Sequence, residues 1–277
     1  MQTNVTAVQK SQEVSALLEM PDSRIIAGGT TFCPGETSAL QLIDISGLQG
    51  LDGIKQKGSR IEIGPLALLS ALAESSLLKT YVPVLSEAAA GVTPAEVRER
   101  GTLGGNLADE RIGDCAAALM AWGAKLTIKT GDDFRDLMIE RFWSQDGKND
   151  LNYDEWITRI TLQMPKESLW GAAFGKTGEW CQTAEPPAAA AVRLSIDEKD
   201  VITGIRGALR TGKNGIRRMF PLEKALKNQP ASAGLFEKAV TAMTAAVHGE
   251  TDETLITGLL SDVLQRSFTM AAERRTF

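Results

Sequence analysis

Two clusters of adjacent glycines carry the strongest chemical signal in this sequence of 277 residues. The first glycine cluster is AGGTT, Ala27–Thr31, and the second is RGTLGGN, Arg100–Asn106. Glycine allows positive φ angles and lets a ligand or another backbone approach closely. Grouped backbone N–H donors are suited to holding phosphate oxygens. Taken together, the clusters indicate a cradle for a phosphate-bearing cofactor, whereas either one alone could be a tight turn.

Other reactive residue types are scarce, which narrows the possible chemistry. The three cysteines, Cys33, Cys115 and Cys181, are too few for the four thiolates that an iron–sulfur cluster usually takes. Burial as small hydrophobic residues is the default expectation for free cysteines. The single histidine, His248, cannot build a multi-histidine metal site, and we expect it to be solvated near a helix end. We therefore predict no metal site and expect an organic cofactor to carry any difficult step.

The composition is that of an ordinary globular protein, with 43% hydrophobic and 23% charged residues. A formal net charge of −5 argues against nucleic acid as the main partner. No apolar run reaches the length of a membrane span, and the N-terminal stretch has no signal-peptide pattern. These features predict a cytoplasmic protein without a membrane span.

Hydrophobic periodicity predicts a mixture of strands and helices. Strands are predicted in RIIAGG, LQLIDIS, RIEIGPLA, AKLTIKT, WITRITLQMP and DVITGIRGALR. Helices are predicted at Gln12–Met20, in LALLSALAESSLL, YVPVLSEAAAGV and DCAAALMAWGA, and in the tail from about Leu222. Because the later helices are grouped at the end of the chain, the pattern predicts an α+β fold with a separate C-terminal module.

In their order along the chain, several motifs resemble the flavin subunit or flavin domain of the molybdenum hydroxylases, such as xanthine dehydrogenase and carbon monoxide dehydrogenase. The motifs are AGGT (Ala27–Thr30), LIDIS (Leu42–Ser46), IEIGPLALLSAL (Ile61–Leu72), VRERGTLGGNLA (Val97–Ala108), DCAAAL (Asp114–Leu119) and DEWITRITLQMP (Asp154–Pro165). The resemblance implies a PCMH-type FAD-binding domain of two α/β subdomains over residues 1–169. A smaller C-terminal α+β module, an antiparallel sheet with helices, would follow over residues 170–277.

The resemblance also implies which residues bind FAD, non-covalently. The pyrophosphate would be held by the first cluster, through Ala27, Gly28, Gly29, Thr30 and Thr31. The same phosphates and the flavin would be approached by the second cluster, through Thr102, Gly104, Gly105 and Asn106. The adenosine end would lie near Asp114, and apolar contacts beside the nucleotide would come from Trp156 and Ile157. Lys176, the candidate catalytic residue, would lie near the isoalloxazine ring and favour negative charge on the reduced flavin.

Several of these residues have a simpler structural interpretation. Asp114 could be the N-cap of the helix that follows it, a position where aspartate is favoured. Trp156 and Ile157 could be core residues of a strand, and Lys176 could be a solvated loop lysine.

The loop after the second cluster departs from the family pattern, N-A-S-P-x-x-D. It reads DERIGD, Asp109–Asp114, which is one residue shorter and more charged. Asp109 and Glu110 would repel a diphosphate unless Arg111 or solvent offset them. The arginines Arg98 and Arg100, just before the glycines, are expected to form a charged helix end.

The resemblance implies an enzyme component, the FAD-binding electron-transfer subunit of a multi-subunit molybdenum hydroxylase. Its partners would be a molybdopterin-binding large subunit and a [2Fe-2S] small subunit, with NAD or another acceptor taking the electrons. The alternative is a non-catalytic assembly or scaffold protein that retains the fold but binds flavin weakly.

Overall fold

The computed structural model describes residues 4–31, 41–109, 113–144, 147–178, 188–212, 215–250 and 252–276. Over these ranges the chain is an α+β protein with three β-sheets, each with its own helices. No helix in the same ranges is both long enough and apolar enough to cross a membrane.

The first sheet has three parallel strands in the order β1-β3-β2. Its elements are β1 (Asn4–Ala7), α1 (Ser11–Leu18), β2 (Ser23–Ile26) and β3 (Gln41–Asp44). The apolar side of α1, represented by Val14, packs on Ile43 of the central strand, and Trp156 from a later strand completes this core. The first glycine cluster begins directly after β2.

The second sheet has five antiparallel strands in the order β4-β5-β8-β6-β7. The strands are β4 (Ile54–Lys57), β5 (Arg60–Ile63), β6 (Lys125–Thr130), β7 (Asp133–Met138) and β8 (Glu155–Gln163). Between β5 and β6 come α2 (Leu69–Glu74), α3 (Ser76–Tyr81), α4 (Pro83–Ala90), α5 (Ala95–Arg100), α6 (Leu103–Ala108) and α7 (Cys115–Trp122). Leu72, Leu85 and Leu119 from these helices share one core with Ile63 and Ile160 of the sheet.

The third sheet has four antiparallel strands in the order β12-β11-β10-β9. The strands are β9 (Trp170–Lys176), β10 (Ala189–Ile196), β11 (Ile202–Thr211) and β12 (Gly215–Arg218). The helices that follow are α8 (Phe220–Leu226), α9 (Ala233–Ala246) and α10 (Glu253–Glu273).

Small residues let helices cover both faces of this third sheet. Neighbouring side chains in a strand point to opposite faces. Accordingly Ala189 and Ala191 belong to the core shared with α7, whereas Ala190 packs in the core that contains Val263 of α10. A Cβ placed on Gly171 of β9 would overlap the carbonyl oxygen of Ser267. Only glycine therefore permits the close contact between β9 and α10.

Most predicted elements are present, and two predictions need correction. The stretch predicted as one helix in LALLSALAESSLL is two helices, because Ser75 caps the second one by accepting a hydrogen bond from the Leu78 amide. The alternative of a tight turn at the second glycine cluster is also wrong, since Gly104 and Gly105 lie in the first turn of α6. Thr102 is the N-cap of α6 and accepts from the Gly105 amide at 3.1 Å, which offsets the poor helix propensity of glycine.

Candidate functional site

The first glycine cluster presents backbone N–H donors that have no acceptor among the described residues of the chain. Within the described ranges, the backbone N–H groups of Gly28, Gly29 and Thr30 donate to no partner. We call these three groups the amide cradle. Gly29 has a φ of +64°, a conformation that glycine adopts without strain. Successive N–H groups in such a turn form a concave site for an anion.

The two glycine clusters meet in space. A Cβ placed on Gly28 would overlap the carbonyl oxygen of Arg100, so the two backbones are in direct contact there. One residue further, a Cβ on Gly101 would lie 3.5 Å from the Thr30 hydroxyl oxygen. The structure thus brings together the two segments from which the sequence predicts a single phosphate site.

In the second cluster, the backbone amides of the helix are already hydrogen-bonded within the chain, so a ligand would meet the exposed surface of α6. The amide of Gly104 donates to the Pro65 carbonyl at 2.8 Å, and that of Asn106 donates to the Thr102 carbonyl at 2.9 Å. Gly104 is buried against Pro65, whereas Gly105 is exposed. A ligand could therefore approach α6 closely at Gly105, where no side chain projects.

Asn106 performs the capping that the sequence interpretation gave to Asp114. Its side-chain oxygen accepts from the amide of Cys115, the first residue of α7, at 3.1 Å. Its carbonyl accepts from the Gly113 amide at the same distance. Asp114 does occupy the N-cap position, but its side chain makes no capping hydrogen bond. The prediction of a capping side chain at Asp114 is therefore wrong.

Asp114 instead joins α7 to the third sheet through ion pairs. One carboxylate oxygen accepts from Arg210 of β11 at 2.8 Å, and the other lies 3.1 Å from Nζ of Lys176 at the end of β9. We call these three residues the Asp114 ion cluster. Lys176 also donates to the Gly91 carbonyl at 2.6 Å, and its side chain is only 13% exposed. The interpretation of Lys176 as a solvated loop lysine is therefore wrong.

Because these charged side chains are buried, each of them is stabilised mainly by its oppositely charged partner in the cluster. Asp114 is 5% exposed and Arg210 is 2% exposed. Burial lowers the pKa of Arg210, while the negative charge of Asp114 and its hydrogen bond act in the opposite direction. Nothing in the sequence identified Arg210, which lies 96 residues from Asp114 and follows an ordinary strand pattern.

Trp156 and Ile157 are buried on opposite faces of β8. Trp156 packs in the core of the first sheet, and Ile157 packs in that of the second. Their burial agrees with the interpretation as strand core residues, while contact with a nucleotide stays a prediction. The indole N–H of Trp156 is buried and has no hydrogen-bond partner among the described residues.

The remaining reactive residues give no second site. Cys115 is buried, and this burial raises the pKa of its thiol, so the thiol stays protonated. The described residues contain no group of three or more histidine, cysteine or acidic side chains arranged to hold a metal ion. His248 is exposed after α9, as predicted, and contacts Glu253. Cys33, Cys181, Glu110 and Arg111 lie outside the described residues.

These features define an α+β protein in which a glycine loop with three available backbone donors follows β2 of the first sheet and contacts the junction of α5 and α6. A family model described as the FAD binding domain in molybdopterin dehydrogenase matches residues 1–165, more than half of the chain. The chain therefore belongs to this family, and its cofactor is FAD. The amide cradle fits the cofactor, because a diphosphate needs clustered donors.

Relatives with curated names include a subunit of a hydroxylase and a subunit of a dehydrogenase. The nicotine 6-hydroxylase medium subunit of Paenarthrobacter nicotinovorans is 23% identical over 265 residues, which is 91% of each chain. The carbon monoxide dehydrogenase medium chain of Hydrogenophaga pseudoflava is 33% identical over 168 residues, 57% of this chain and 58% of that one. The chain thus spans little more than half the length of some relatives that it matches.

A solved structure shows the same fold. It is the carbon monoxide dehydrogenase of Hydrogenophaga pseudoflava that lacks the Mo-pyranopterin moiety, with a TM-score of 0.83 and 23% identity. The superposition covers 99% of this chain and 98% of the other. The predicted α+β architecture, with its C-terminal antiparallel sheet and helices, is confirmed.

We expect Asp114→Asn to destabilise the protein strongly, because it would leave Arg210 and Lys176 without their buried carboxylate. Loss of one partner of a buried ion pair typically costs about 3–5 kcal/mol. Chemical denaturation would measure this loss. Asp262→Asn is the matched control, since it breaks an exposed pair with Arg266, and such pairs contribute about 0–1 kcal/mol. Equal effects of the two substitutions would contradict a structural role for the Asp114 ion cluster.

Proposed function

We propose that this chain is the FAD-binding electron-transfer subunit of a multi-subunit molybdenum hydroxylase. The amide cradle carries the proposal, because three adjacent donors without a partner among the described residues occur where the chain matches an FAD-binding family. Bound FAD would supply the conversion between single-electron and hydride transfer. The same observation favours cofactor binding over the alternative of a scaffold that binds flavin weakly.

The proposed contacts follow the two glycine clusters. Ala27, Gly28, Gly29, Thr30 and Thr31 would hold the pyrophosphate, while Thr102, Gly104, Gly105 and Asn106 would form the adjoining surface. Of these amides, those of Gly104, Gly105 and Asn106 already have intrachain partners. Contact with the second cluster would therefore be by close approach at the exposed Gly105 and not by its backbone donors.

Residues outside the glycine clusters have separate proposed roles. The adenosine end for Asp114 and the flavin ring for Lys176 cannot both hold, because their side chains lie 3.1 Å apart, whereas adenosine and the ring are on opposite sides of the pyrophosphate. The ring end is proposed for this pair, and contacts with the nucleotide for Trp156 and Ile157. Lys176 would act beside the flavin ring, with its ammonium group fixed by the Gly91 carbonyl and Asp114. A fixed positive charge would favour the anionic form of the reduced flavin.

The partners follow from the division of labour. Substrate would be oxidised on a molybdopterin-binding large subunit, and a [2Fe-2S] small subunit would relay electrons to this chain, which would pass them to NAD or another acceptor. We propose residues 1–169 as the FAD-binding domain and residues 170–277 as a module that covers it and contacts the partners. An acidic chain of this composition would work in the cytoplasm.

Gly105→Val should strip the flavin while leaving the fold intact. Gly105 is exposed, and an added Cβ would lie 3.2 Å from the Thr102 hydroxyl oxygen, a tight contact that a small shift of this side chain would relieve. The valine would project to where the cofactor approaches α6. Released flavin, identified by mass as FAD, would be measured per protein chain. Gly234→Val is the control, because it places valine in the first turn of α9, where nothing lies within 4 Å of a Cβ. Full flavin content in Gly105→Val would mean that α6 does not contact the cofactor.

Lys176→Met should lower the reduction potential of the flavin with little loss of FAD, because a cation beside the ring stabilises the anionic reduced form. Spectroelectrochemical titration would measure the potential, with the exposed Lys199→Met as the control. If the two variants have the same potential as the wild type, Lys176 serves only the Asp114 ion cluster.

A native preparation should contain this chain together with a large molybdopterin chain and a small cluster chain. Stable interfaces bury on the order of 1,200–2,000 Å², so the assembly should survive gel filtration. Substrate should reduce the flavin only in the assembled complex. A species of one chain, 29.7 kDa, whose flavin is reduced directly by substrate would refute the proposed division of labour.

A further inference from the structure

Two neighbouring arginines at the end of α5 differ in what they contact. Arg98 donates to the Val92 carbonyl at 2.6 Å, so its guanidinium holds the turn before the helix. Arg100 is the last residue of α5 and is exposed. Throughout the described part of the chain, its guanidinium has no hydrogen-bond or ion-pair partner. The sequence predicts that both arginines form a charged helix end. This role does not explain why only Arg98 has a hydrogen-bond partner among the described residues.

The position of Arg100 beside the amide cradle does distinguish it. Its carbonyl oxygen occupies the space of a missing Cβ at Gly28. The Arg100 side chain lies near Gly29: a Cβ placed on Gly29 would be 4.0 Å from a terminal nitrogen of the guanidinium. A positive charge therefore lies beside the free N–H groups of Gly28, Gly29 and Thr30.

A negatively charged diphosphate would be stabilised by a cation at this position. Backbone amides are neutral donors, and a diphosphate retains negative charge that a chain of net charge −5 does not favour. Guanidinium groups match phosphate oxygens with two parallel hydrogen bonds, and such charge-assisted bonds are stronger than neutral ones.

We propose that Arg100 binds the diphosphate of FAD, closing the amide cradle with a charged group. This inference rests on FAD binding at the first glycine cluster and adds a residue to that site. The positive charge that balances the diphosphate would then come from Arg100, which lies outside the first glycine cluster.

The test is the affinity of the flavin-free full chain for FAD, measured by quenching of flavin fluorescence. Arg100→Met should weaken FAD binding about tenfold to a hundredfold, the range expected for a lost charged hydrogen bond. Arg100→Lys should recover part of the affinity. Arg141→Met is the matched control, since Arg141 is also exposed and has no partner among the described residues, and it should bind FAD as the wild type does.

Salt dependence and thermal melting separate ligand binding from support of the helix. The dissociation constant of the wild type should rise with KCl, and that of Arg100→Met should rise less steeply, because one ionic contact is missing. Wild-type affinity in Arg100→Met would overturn the proposal. So would weaker binding with an unchanged salt dependence and a lower melting temperature of the flavin-free chain. Failure of the wild type to bind FAD would instead refute the cofactor site.

Discussion

The contact between Gly28 and the backbone carbonyl of Arg100 fixes the geometry on which the site depends. No side chain fits between these two backbones, so residue 28 must be glycine for them to meet. The contact brings the end of β2 in the first sheet against the junction of α5 and α6, which pack on the second sheet. Free donors on one segment and a positive charge on another thereby face the same space.

A different kind of bond joins the second and third sheets. The alanines of α7 and β10 pack closely, but the polar link is the Asp114 ion cluster. A buried ion pair seldom stabilises a protein more than apolar residues of the same size would. It does restrict how the elements can be arranged, since any shift of β9 or β11 relative to α7 would leave a charge unpaired. The orientation of the third sheet against the second is therefore specified by charge as well as by shape.

Much of this arrangement could be predicted from the sequence, because its signals are local. Alternating apolar residues identified β5, β6 and β8, and Gly123 ends α7 in the left-handed conformation that glycine favours. β7 was missed because it is an edge strand without a buried residue, and Asp133, Arg135 and Asp136 leave it no hydrophobic alternation. The helix that contains Gly104 and Gly105 was not predicted, because it depends on a cap at Thr102 and on packing against Pro65.

The sequence could predict which segments form the candidate site, but not how their donors and charges are paired. The glycine clusters identified where a phosphate would bind, but the sequence does not show which amides remain free after folding. The ion-pair partners of Asp114 could not be predicted from the sequence for a related reason. Arg210 and Lys176 reach it from strands that are distant in the chain, and no local pattern records a pairing over 96 residues.

The contact between Gly171 and Ser267 has a consequence for the order of events during synthesis. β9 cannot be covered on its outer face until α10 has been made, and these two elements are distant in the chain. Contacts of such large sequence separation form late, because the intervening chain must first be closed into a loop. The strands and helices up to β8 include most described residues of their own core, and the others come mainly from the third sheet, with Met270 from α10. A nascent chain on the ribosome would accordingly complete its FAD-binding part first and expose one apolar face of the third sheet until translation reaches the last helix. This interval is the one in which the chain is most exposed to aggregation and most open to a chaperone.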